Sequence, residues 1–483
     1  MASHRERKRD SYGKEFPHWD LLGLHRQPLL NFTFTTSKLS FSFITSQVNL
    51  FPPTELRRAS PHFTMISTIF GFLNQTDNDV RDEWLSDLLK EADQSPDNLQ
   101  PVLREFQLLI ESNPRIYMLF QSMFQQAHEN APVRNRRHEV QDYQQMLRVL
   151  NHVITHAPPC IGKLAGVPML GVFRYALPTV SGYAAFIDPE VNSMLKKVLD
   201  VWGEFLSSSE SVSVLTTSST GWFGTEAIRK LTSTANVGGT TYAFDELYIC
   251  DPNAPHYGFP SWDAFFTRTF RENIRPVASP EDDTVIANAC ESRPFTLGRN
   301  VKARDNFWIK GQTYSLVDML GAGFPDSFIG GTIYQGYLDS FSYHRWHAPV
   351  SGKVVKTYTI GGTYLSTVGA MHRDDPHPNE GSQVDYQVYL SAMATRAVIL
   401  IQTDNPDIGL VGFLGIGMVE ISTCEITVKE GEYVKKGDQI GMFHYGGSSH
   451  CVIFQKGVNV TGFPEIGRKE NVPVRGKLAV VTP

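Results

Sequence analysis

The sequence has few cysteines and no long apolar run. Its five cysteines, at positions 160, 250, 290, 424 and 451, stand far apart and include no C-x-x-C pair. This usage indicates buried thiols in a reducing compartment and argues against a disulfide framework or a zinc site. No apolar stretch approaches the about 20 residues that span a bilayer. The best candidate, residues 408–419, contains four glycines and predicts buried strands.

An excess of positive charge is also missing. The chain carries 44 Lys and Arg residues against 50 Asp and Glu residues, which gives a formal net charge of −6. Such a chain offers no basic field for nucleic acid or for an anionic bilayer. We therefore expect no nucleic-acid partner and no stable membrane insertion.

The N-terminus lacks the apolar segment of a secretory signal. Residues 1–10 are basic but lead into no hydrophobic stretch. A mitochondrial transit peptide is typically poor in acidic residues, and Glu6, Asp10 and Glu15 count against one. We expect a cytoplasmic protein, with a mitochondrial one as the alternative.

Residues 66–220 predict a helical N-terminal module. Apolar residues recur at helical spacing in four stretches, 84–89, 102–110, 143–154 and 194–206, and such stripes are typical of core packing. Ahead of this module, residues 1–65 alternate Ser and Thr with phenylalanines and predict an extension, either an isolated strand pair or disorder. A polar, Ser/Thr-rich stretch at 207–221 predicts the linker that follows the helices.

The remaining part of the chain, residues 221–483, predicts a β-rich core and makes the overall class α+β. Residues 261–271 predict an amphipathic helix with several aromatic residues, followed by Arg275-Pro276. Beyond Thr284, glycines and β-branched residues dominate, which indicates strands and turns. Residues 348–355 and 428–438 resemble the two halves of a biotinyl/lipoyl-like sandwiched barrel, in which glycines turn short hairpins. No lysine stands at a carrier tip, so a swinging-arm role is not expected.

Residues 443–449 read Phe-His-Tyr-Gly-Gly-Ser-Ser. Taken alone, two glycines followed by two serines most often form a surface turn. Here they lie between two strand-like runs, 439–443 and 451–454, so Ser448 is expected in a tight turn between buried strands. Such a turn can strain a Gly-Ser peptide and present its carbonyl to the serine hydroxyl.

A second unusual stretch, residues 343–352, contains His344 and His347. Two histidines three residues apart can be half of a metal site, polar groups paired in a turn, or acid-base catalysts. No well-spaced third ligand accompanies them, and we predict no metal site. Glu420 and Glu425 could form a carboxylate pair, but exposed strand carboxylates are the expected reading.

Together these stretches resemble the phosphatidylserine decarboxylase family, whose members cut themselves at a Gly-Ser bond and convert the serine into a pyruvoyl group. The family's usual Leu-Gly-Ser-Thr reads Gly-Gly-Ser-Ser at 446–449. The chain also has His-Arg-Trp-His-Ala-Pro at 344–349 and Ala-Cys-Glu-Ser at 289–292. All three variants are similar to a fungal branch of the family, the L-tryptophan decarboxylase-like enzymes of the psilocybin-pathway type. The resemblance covers the C-terminal half well and the helical module loosely.

The resemblance implies a Ser-His-acid arrangement for self-cleavage between Gly447 and Ser448. Ser448 would be the nucleophile and His347 the base that removes its proton. The acid position, an aspartate in most of the family, aligns best with Glu291. His344 would return a proton to the α-carbon of the substrate after CO₂ has left.

The resemblance also implies the cofactor. Attack of Ser448 on the Gly447 carbonyl would give an ester, and β-elimination would then release the upstream chain. Hydrolysis of the resulting dehydroalanine would leave a pyruvoyl group at position 448, so no PLP is needed. The protein would then consist of a β chain ending at Gly447 and an α chain beginning at 448. The sequence does not set an oligomeric state.

Residues 221–483 would accordingly be a pyruvoyl-dependent catalytic domain, and two substrate classes fit it. The first is a free aromatic L-amino acid, with tryptophan expected, which would be converted to its amine and CO₂. The alternative is phosphatidylserine, which would give phosphatidylethanolamine but requires a membrane-binding element that the sequence does not clearly show. A non-catalytic relative that keeps the fold as a binding module is disfavoured, because the nucleophile and the candidate base are both present.

Overall fold

The structure is a computed structural model. It describes residues 75–94, 98–130, 139–161, 166–305, 314–321, 323, 325–366, 381–418, 420, 423–445 and 448–482. The predicted extension, residues 1–65, lies outside the described residues. Two residues of the predicted cleavage site, Gly446 and Gly447, also lie outside them, while Ser448 is described.

Helices form the N-terminal part of the described chain, as predicted. They are α1 (Gln75–Gln94), α2 (Pro101–Ser112), α3 (Pro114–Asn130), α4 (Tyr143–Val153), α5 (Pro168–Phe173), α6 (Val180–Phe186), α7 (Pro189–Ser207) and α8 (Thr225–Ala235). The four apolar stripes lie on α1, α2, α4 and α7, which confirms those four helices. The buried residues of α7, among them Val198 and Trp202, follow the helical spacing because one face of the helix packs on the core.

Aspartate side chains cap two of these helices. Asp142 accepts a hydrogen bond from the Gln145 backbone N–H at 2.7 Å and caps α4. Asp188 caps α7 and accepts from the Glu190 N–H at 2.9 Å, and Pro189 occupies the first turn. An N-cap carboxylate satisfies backbone donors that have no partner inside the helix, and proline is well tolerated there.

The Ser/Thr-rich stretch at 207–221, predicted as the linker after the helices, is mostly exposed but has buried residues at Ser211, Leu215 and Gly221. It contains a 3-10 helix, Ser209–Val214. The buried hydroxyl of Ser211 donates to the Leu206 carbonyl at 2.8 Å and accepts from the Trp262 backbone N–H at 2.8 Å. Small hydroxyl side chains can satisfy the backbone locally, so a polar composition need not mean solvent exposure.

Four further helices follow, two of them before the first strand and two between strands. They are α9 (Phe244–Leu247), α10 (Trp262–Phe266), α11 (Leu316–Leu320) and α12 (Gly381–Met393). The helix predicted over 261–271 is confirmed as α10, but it covers only five residues. Its cap is Ser261, whose hydroxyl accepts from the Ala264 N–H at 3.1 Å.

The C-terminal part is rich in strands. They are β1 (Val285–Ala287), β2 (Arg293–Arg299), β3 (Thr332–Leu338), β4 (Arg345–His347), β5 (Gly352–Ile360), β6 (Arg396–Thr403), β7 (Leu410–Gly417), β8 (Thr423–Ile426), β9 (Tyr433–Val434), β10 (Gln439–His444), β11 (Ser448–Phe454), β12 (Val460–Thr461) and β13 (Lys477–Val481). A mixed helix and sheet class with the helices first is therefore confirmed. The glycine-rich stretch at 408–419 forms β7, as predicted.

The strands form three antiparallel sheets. The largest has the order β2-β3-β11-β7-β6-β5-β9, and the two smaller ones have the orders β4-β10-β8 and β1-β13-β12. Strand β11 lies between β3 and β7, and every residue of β11 is buried. Residues two apart share a face of a strand, so Ser448 and His450 point to the side that carries Val452 and Phe454.

The biotinyl/lipoyl-like barrel is not confirmed. Its two proposed halves do meet, because Gly352 and Lys353 of β5 pair with Val434 and Tyr433 of β9. However, the largest sheet begins with β2 and ends with β9, and no ladder joins these two strands among the described residues. A barrel requires such closure, so the described strands form open sheets.

Close packing between two sheets depends on small residues opposite a tryptophan. Trp346 of β4 is fully buried. A Cβ atom on Gly415 of β7 would lie 2.7 Å from the Trp346 ring, and one on Gly441 of β10 would lie 2.4 Å from it. These glycines therefore allow the Trp346 ring to lie directly on the backbones of β7 and β10.

We predict that Gly415→Ala destabilises the protein by about 1–3 kcal/mol, because the added methyl group overpacks the core against Trp346. The matched control is Gly361→Ala, since a Cβ at Gly361 has no heavy atom within 4 Å. Urea unfolding of both variants measures the difference. Equal stability of the two variants would contradict the proposed packing.

Candidate active site

Ser448 is the first residue of the central strand β11. It pairs with Leu338 of β3 and with Gly417 of β7, and it is fully buried. Its Oγ atom has no hydrogen-bond partner among the described residues. The sequence placed Ser448 in the turn, whereas the structure places it in the ladder, so hydrogen bonds on both sides hold its backbone. A buried hydroxyl without a partner is uncommon and indicates a functional position.

The histidine pair lies on β4 and just before it. The His344 carbonyl accepts from the backbone N–H of Phe443 at 3.0 Å, and His347 is opposite Gln439. Strand β10 therefore places His344 beside its C-terminal end, which leads to Ser448, and places His347 beside its beginning. Both histidines are buried.

The ring of His347 is held by three neighbours. Its Nδ1 lies 2.8 Å from the Gly437 carbonyl oxygen, and its Nε2 lies 3.2 Å from the Tyr343 hydroxyl oxygen. The Nε atom of Arg475 donates to the same carbonyl at 2.9 Å and lies 3.1 Å from Nδ1. The Gly437 carbonyl calls for a proton on Nδ1, whereas the Arg475 Nε–H calls for a lone pair on the same atom, so these contacts fit either neutral tautomer.

Burial, reinforced by the positive charge of Arg475, lowers the pKa of His347 to about 3. A neutral imidazole is the form that can accept a proton. The His347 ring is consequently in its base form throughout the physiological pH range.

His344 lies against an aromatic ring. Phe266 of α10 stacks on it with 4.0 Å between the ring centroids and 19° between the planes. Phe266 in turn stacks on Trp262 at 5.1 Å. The helix predicted from the aromatic stretch at 261–271 thus reaches the first histidine of the motif.

Glu291 is buried and forms an ion pair with Arg275. The Arg275 Nη2 atom lies 2.6 Å from one carboxylate oxygen, and its Nε atom lies 2.9 Å from the other. The backbone N–H of Val474 donates to Glu291 at 2.8 Å. A bidentate Arg–carboxylate pair is among the stronger charged contacts in proteins.

The structure brings the segment of Glu291 and the strand of His347 side by side. The backbone N–H of His347 donates to the Ala289 carbonyl at 2.8 Å, two residues before Glu291. The side-chain hydrogen bonds, however, join Glu291 to Arg275 and His347 to Gly437. The catalytic roles of Ser448, His347, His344 and Glu291 therefore stay predictions.

Three residues of this site were not singled out from the sequence. Arg275 stood in the Arg-Pro segment, but nothing in that segment indicated its partner. Tyr343 immediately precedes His344 in the motif, which is a weak signal. Arg475, whose backbone is left-handed with φ = 65°, gave no signal, because its role depends on a contact with a strand 128 residues away.

The expectation that Glu420 and Glu425 are exposed strand carboxylates is wrong for Glu420. The Glu425 side chain is 46 % exposed, but Glu420 is fully buried. The backbone N–H of Leu170 donates to one Glu420 oxygen at 3.1 Å, and burial raises the pKa of Glu420 to about 8. The residue follows the end of β7, where the helical part of the chain covers it.

A pocket of about 450 Å³ opens beside α10 and β4. Its lining combines apolar residues with charged ones, among them Phe259, Met442, Asp263, Arg268 and Arg345. Arg345 is adjacent to His344 in the chain, and its Nε atom donates to the Thr267 carbonyl at 2.6 Å. A pocket of this size and mixed lining suits a small molecule that has a charged end and an apolar end.

Among the described residues, no group of three or more His, Cys, Asp or Glu side chains is arranged to hold a metal ion. None of the helices that the structure describes is both long and apolar enough to cross a membrane.

Comparison with known proteins identifies the class of this site. A family model described as phosphatidylserine decarboxylase matches residues 262–476, and a second model with that description matches residues 100–231. The decarboxylase iboD of Amanita muscaria is 43% identical over 314 residues, which is 62% of this chain and 87% of that protein. The chain belongs to the phosphatidylserine decarboxylase family and is a carboxy-lyase.

Its relatives also define the branch. The L-tryptophan decarboxylase of Psilocybe cubensis is 38% identical over 74% of this chain and 81% of its own length. The L-tryptophan decarboxylase of Psilocybe cyanescens is 37% identical over 79% of this chain and 87% of its own length. A phosphatidylserine decarboxylase proenzyme of Oryza sativa is 31% identical over 44% of this chain. The chain lies with the fungal L-tryptophan decarboxylase-like proteins, as its motif variants indicated.

We predict that Glu420 makes stability depend on pH. Its pKa rises from 4.5 to about 8 on folding, so between these values the unfolded protein ionises Glu420 while the folded protein keeps it protonated. The free energy of unfolding should then fall with rising pH, by at most about 1.4 kcal/mol per pH unit. Glu420→Gln should abolish this contribution, so that the variant gains stability relative to wild type from pH 5 to pH 8.

Urea unfolding at several pH values measures this difference. The exposed Glu465, replaced by glutamine, is the control and should show a pH-independent difference from wild type. A constant difference for Glu420→Gln would mean that Glu420 ionises normally in the folded protein.

Proposed function

We propose that this protein is a self-processing, pyruvoyl-dependent decarboxylase that converts a free aromatic L-amino acid, L-tryptophan in particular, to its amine and CO₂. The observation that carries the proposal is the buried, unpartnered Oγ atom of Ser448, directly after two glycines at the start of a central strand. We further propose residues 221–483 as the catalytic domain and 66–220 as its helical module.

Ser448 suits the role of nucleophile because strand pairing holds its backbone on the C-terminal side of the scissile bond. The ladders to Leu338 and Gly417 hold its backbone, and its hydroxyl is not engaged elsewhere among the described residues. A preorganised nucleophile that lies next to the carbonyl it attacks gains rate through proximity. The same ladders would keep residue 448 in place after the chain has been cut.

His347 is proposed as the base for self-cleavage. The Gly437 carbonyl, 2.8 Å from Nδ1, supports this role because it orients the ring, as the acid of a triad does. Glu291 is proposed as the acid of the site and would stabilise positive charge that develops there. His344, the nearer histidine to the end of β10, is proposed to return the proton to the substrate carbon.

Once formed from Ser448, a pyruvoyl group would supply a ketone for the substrate amine and an electron sink for the carbanion left by CO₂. The buried environment of Ser448 fits such a group, because exclusion of water protects a reactive carbonyl from side reactions. The described residues would then bind the substrate, keep water out and move one proton.

The aromatic residues around the histidines support an aromatic substrate. Phe266 stacks on His344 and Tyr343 stacks on His347, so planar rings already pack at both positions. The pocket beside Arg345 has a mixed charged and apolar lining, and Ser448, His344 and His347 are not part of that lining. The names of the Psilocybe relatives point to the same substrate class.

Phosphatidylserine is the second candidate substrate, and the family description favours it. Among the relatives, those named phosphatidylserine decarboxylase are 25–31% identical and align with less than half of this chain. That shorter alignment is why we rank the phospholipid below the amino acid.

The first prediction from this proposal concerns processing. Purified wild-type protein should consist of two chains cut after Gly447, and Ser448→Ala should remain one chain without activity. His347→Ala should slow the cut by roughly 10²–10⁴-fold through loss of the base, whereas His344→Ala should cleave and then decarboxylate poorly. Intact-mass spectrometry follows the cut, and His128→Ala on the exposed face of α3 is the control.

If His344→Ala slowed the cut and His347→Ala cleaved but decarboxylated poorly, the base would be His344, which is beside the end of β10 that leads to Ser448. Normal processing of both histidine variants would remove the pair from the self-cleavage mechanism. A single uncleaved chain with full activity would refute the pyruvoyl proposal itself.

The second prediction concerns the substrate. With L-tryptophan the processed enzyme should release tryptamine and CO₂ without lipid or detergent, and hydroxylamine should inhibit it by reacting with the pyruvoyl ketone. Its absorption spectrum should contain no PLP band. A panel of L-tryptophan, L-phenylalanine, L-tyrosine and phosphatidylserine vesicles, with the amines measured by mass spectrometry, tests this. Turnover of the vesicles without any aromatic amine would make phosphatidylserine the substrate.

A further inference from the structure

The two residues that precede the Gly-Gly pair are both anchored by their side chains. The ring of His444, the last residue of β10, lies between two carboxylates. Its Nδ1 is 2.8 Å from Asp263 of α10, and its Nε2 is 2.7 Å from Glu425 of β8. The chain that leads into the cleavage site is therefore tied to a helix and to a neighbouring strand.

Tyr445 is anchored more deeply, and its backbone is strained. It is only 3 % exposed. Its φ of 38° lies in the left-handed region, which residues other than glycine rarely adopt. Its hydroxyl donates to the Leu199 carbonyl of α7 at 3.0 Å. Its ring meets Trp202 of α7 edge to face, with 5.3 Å between the centroids. Strain of this kind persists only where surrounding contacts enforce it.

Gly203 makes this docking possible. It lies in the C-terminal half of α7, where glycine is a poor helix former. A Cβ atom at this position would lie 2.8 Å from the Tyr445 hydroxyl oxygen, 3.4 Å from Cε1 and 3.5 Å from Cζ. The clash is thus mainly with the hydroxyl oxygen. The glycine leaves room for the tyrosine hydroxyl to reach the helix backbone.

Ser448 is held independently on the other side of the scissile bond. Its ladder partners, Leu338 and Gly417, belong to the largest sheet, whereas Tyr445 docks on α7, and its hydroxyl also lies 3.3 Å from the Thr423 hydroxyl of β8. Only two residues join these two anchors. With so short a connection, the positions of Tyr445 and Ser448 together set the two ends of the segment that contains the scissile bond.

We propose that Tyr445 is a positioning residue for self-cleavage, and that α7 serves as the surface on which it docks the chain ahead of the scissile bond. This inference rests on the proposed self-processing function. It gives the helical module a specific part in maturation: α7 holds the carbonyl side of the bond while the sheet holds the serine side.

We expect Tyr445 to act in self-cleavage but not in decarboxylation. After the cut, Tyr445 would lie near the end of the β chain, two residues before its C-terminus at Gly447. Its docking would then matter for the rate of the cut and not for decarboxylation by protein that has already been cut. A purely structural tyrosine would affect both steps together.

The test uses Tyr445→Phe and Gly203→Ala in the full-length protein. Each should slow the appearance of cut chains roughly tenfold, because each removes the hydrogen bond to Leu199. The turnover number per cut molecule should equal that of wild type. Tyr433→Phe, which removes an exposed hydroxyl bound to Asp404, and Gly361→Ala are the matched controls and should process normally.

The double variant sharpens the result. Since the clash of an alanine at position 203 is mainly with the tyrosine hydroxyl, Gly203→Ala combined with Tyr445→Phe should process no more slowly than Tyr445→Phe alone. Independent effects would instead multiply to about a hundredfold, because independent free energies add. Multiplied effects would contradict the contact on which the proposal depends.

Two other outcomes would overturn the inference. Normal processing of Tyr445→Phe would show that the docking does not position the bond. Parallel loss of processing, turnover per cut molecule and melting temperature would show a structural residue only. Failure of the wild-type protein to cut at all would refute the proposed function, and it is distinguishable because the Ser448→Ala and wild-type proteins would then have the same intact mass apart from the substitution.

Discussion

The antiparallel ladder on both sides of β11 is the constraint from which the site is built. It buries Ser448 between Leu338 and Gly417, which removes its hydroxyl from water and leaves its Oγ without a partner among the described residues. The ladder also sets which face of β11 the serine shares with His450 and Val452. The close approach of the smaller sheet, with the Trp346 ring against Gly415 and Gly441, encloses this face. The histidines lie on the side of this smaller sheet, because His347 is part of β4 and His344 directly precedes it.

Burial then determines whether the His347 ring and the Glu420 carboxyl carry a charge. It keeps the His347 ring neutral and the Glu420 carboxyl protonated near neutral pH, because charge is costly away from water. Glu291 remains a partner of Arg275 through two hydrogen bonds. The described core thus contains a neutral imidazole, a paired carboxylate and a hydroxyl without a hydrogen-bond partner, all of them buried. Proton transfer among these groups belongs to the proposed function.

The helical module is continuous with this arrangement. One hydrophobic cluster includes Leu85 and Trp202 from the helices and Ile453 from β11. The Leu170 backbone N–H donates to the buried Glu420 carboxyl, and the Leu199 carbonyl accepts from the Tyr445 hydroxyl. The helices thus contact the chain just after β7, at Glu420, and just before β11, at Tyr445.

The sequence by itself determined the elements whose signal is local. The helices α1, α2, α4 and α7 follow from apolar spacing, β7 and β10 from short apolar runs, and Ser448 and the histidine pair from their motifs. Tertiary structure alone decided which distant groups meet: Arg275 with Glu291, Gly437 with His347, and Tyr445 with a carbonyl 246 residues away. It also buried Glu420 and left the sheets open where a barrel was expected. Periodicity reports neighbours within a turn or a strand, whereas partners across the fold depend on how whole elements pack.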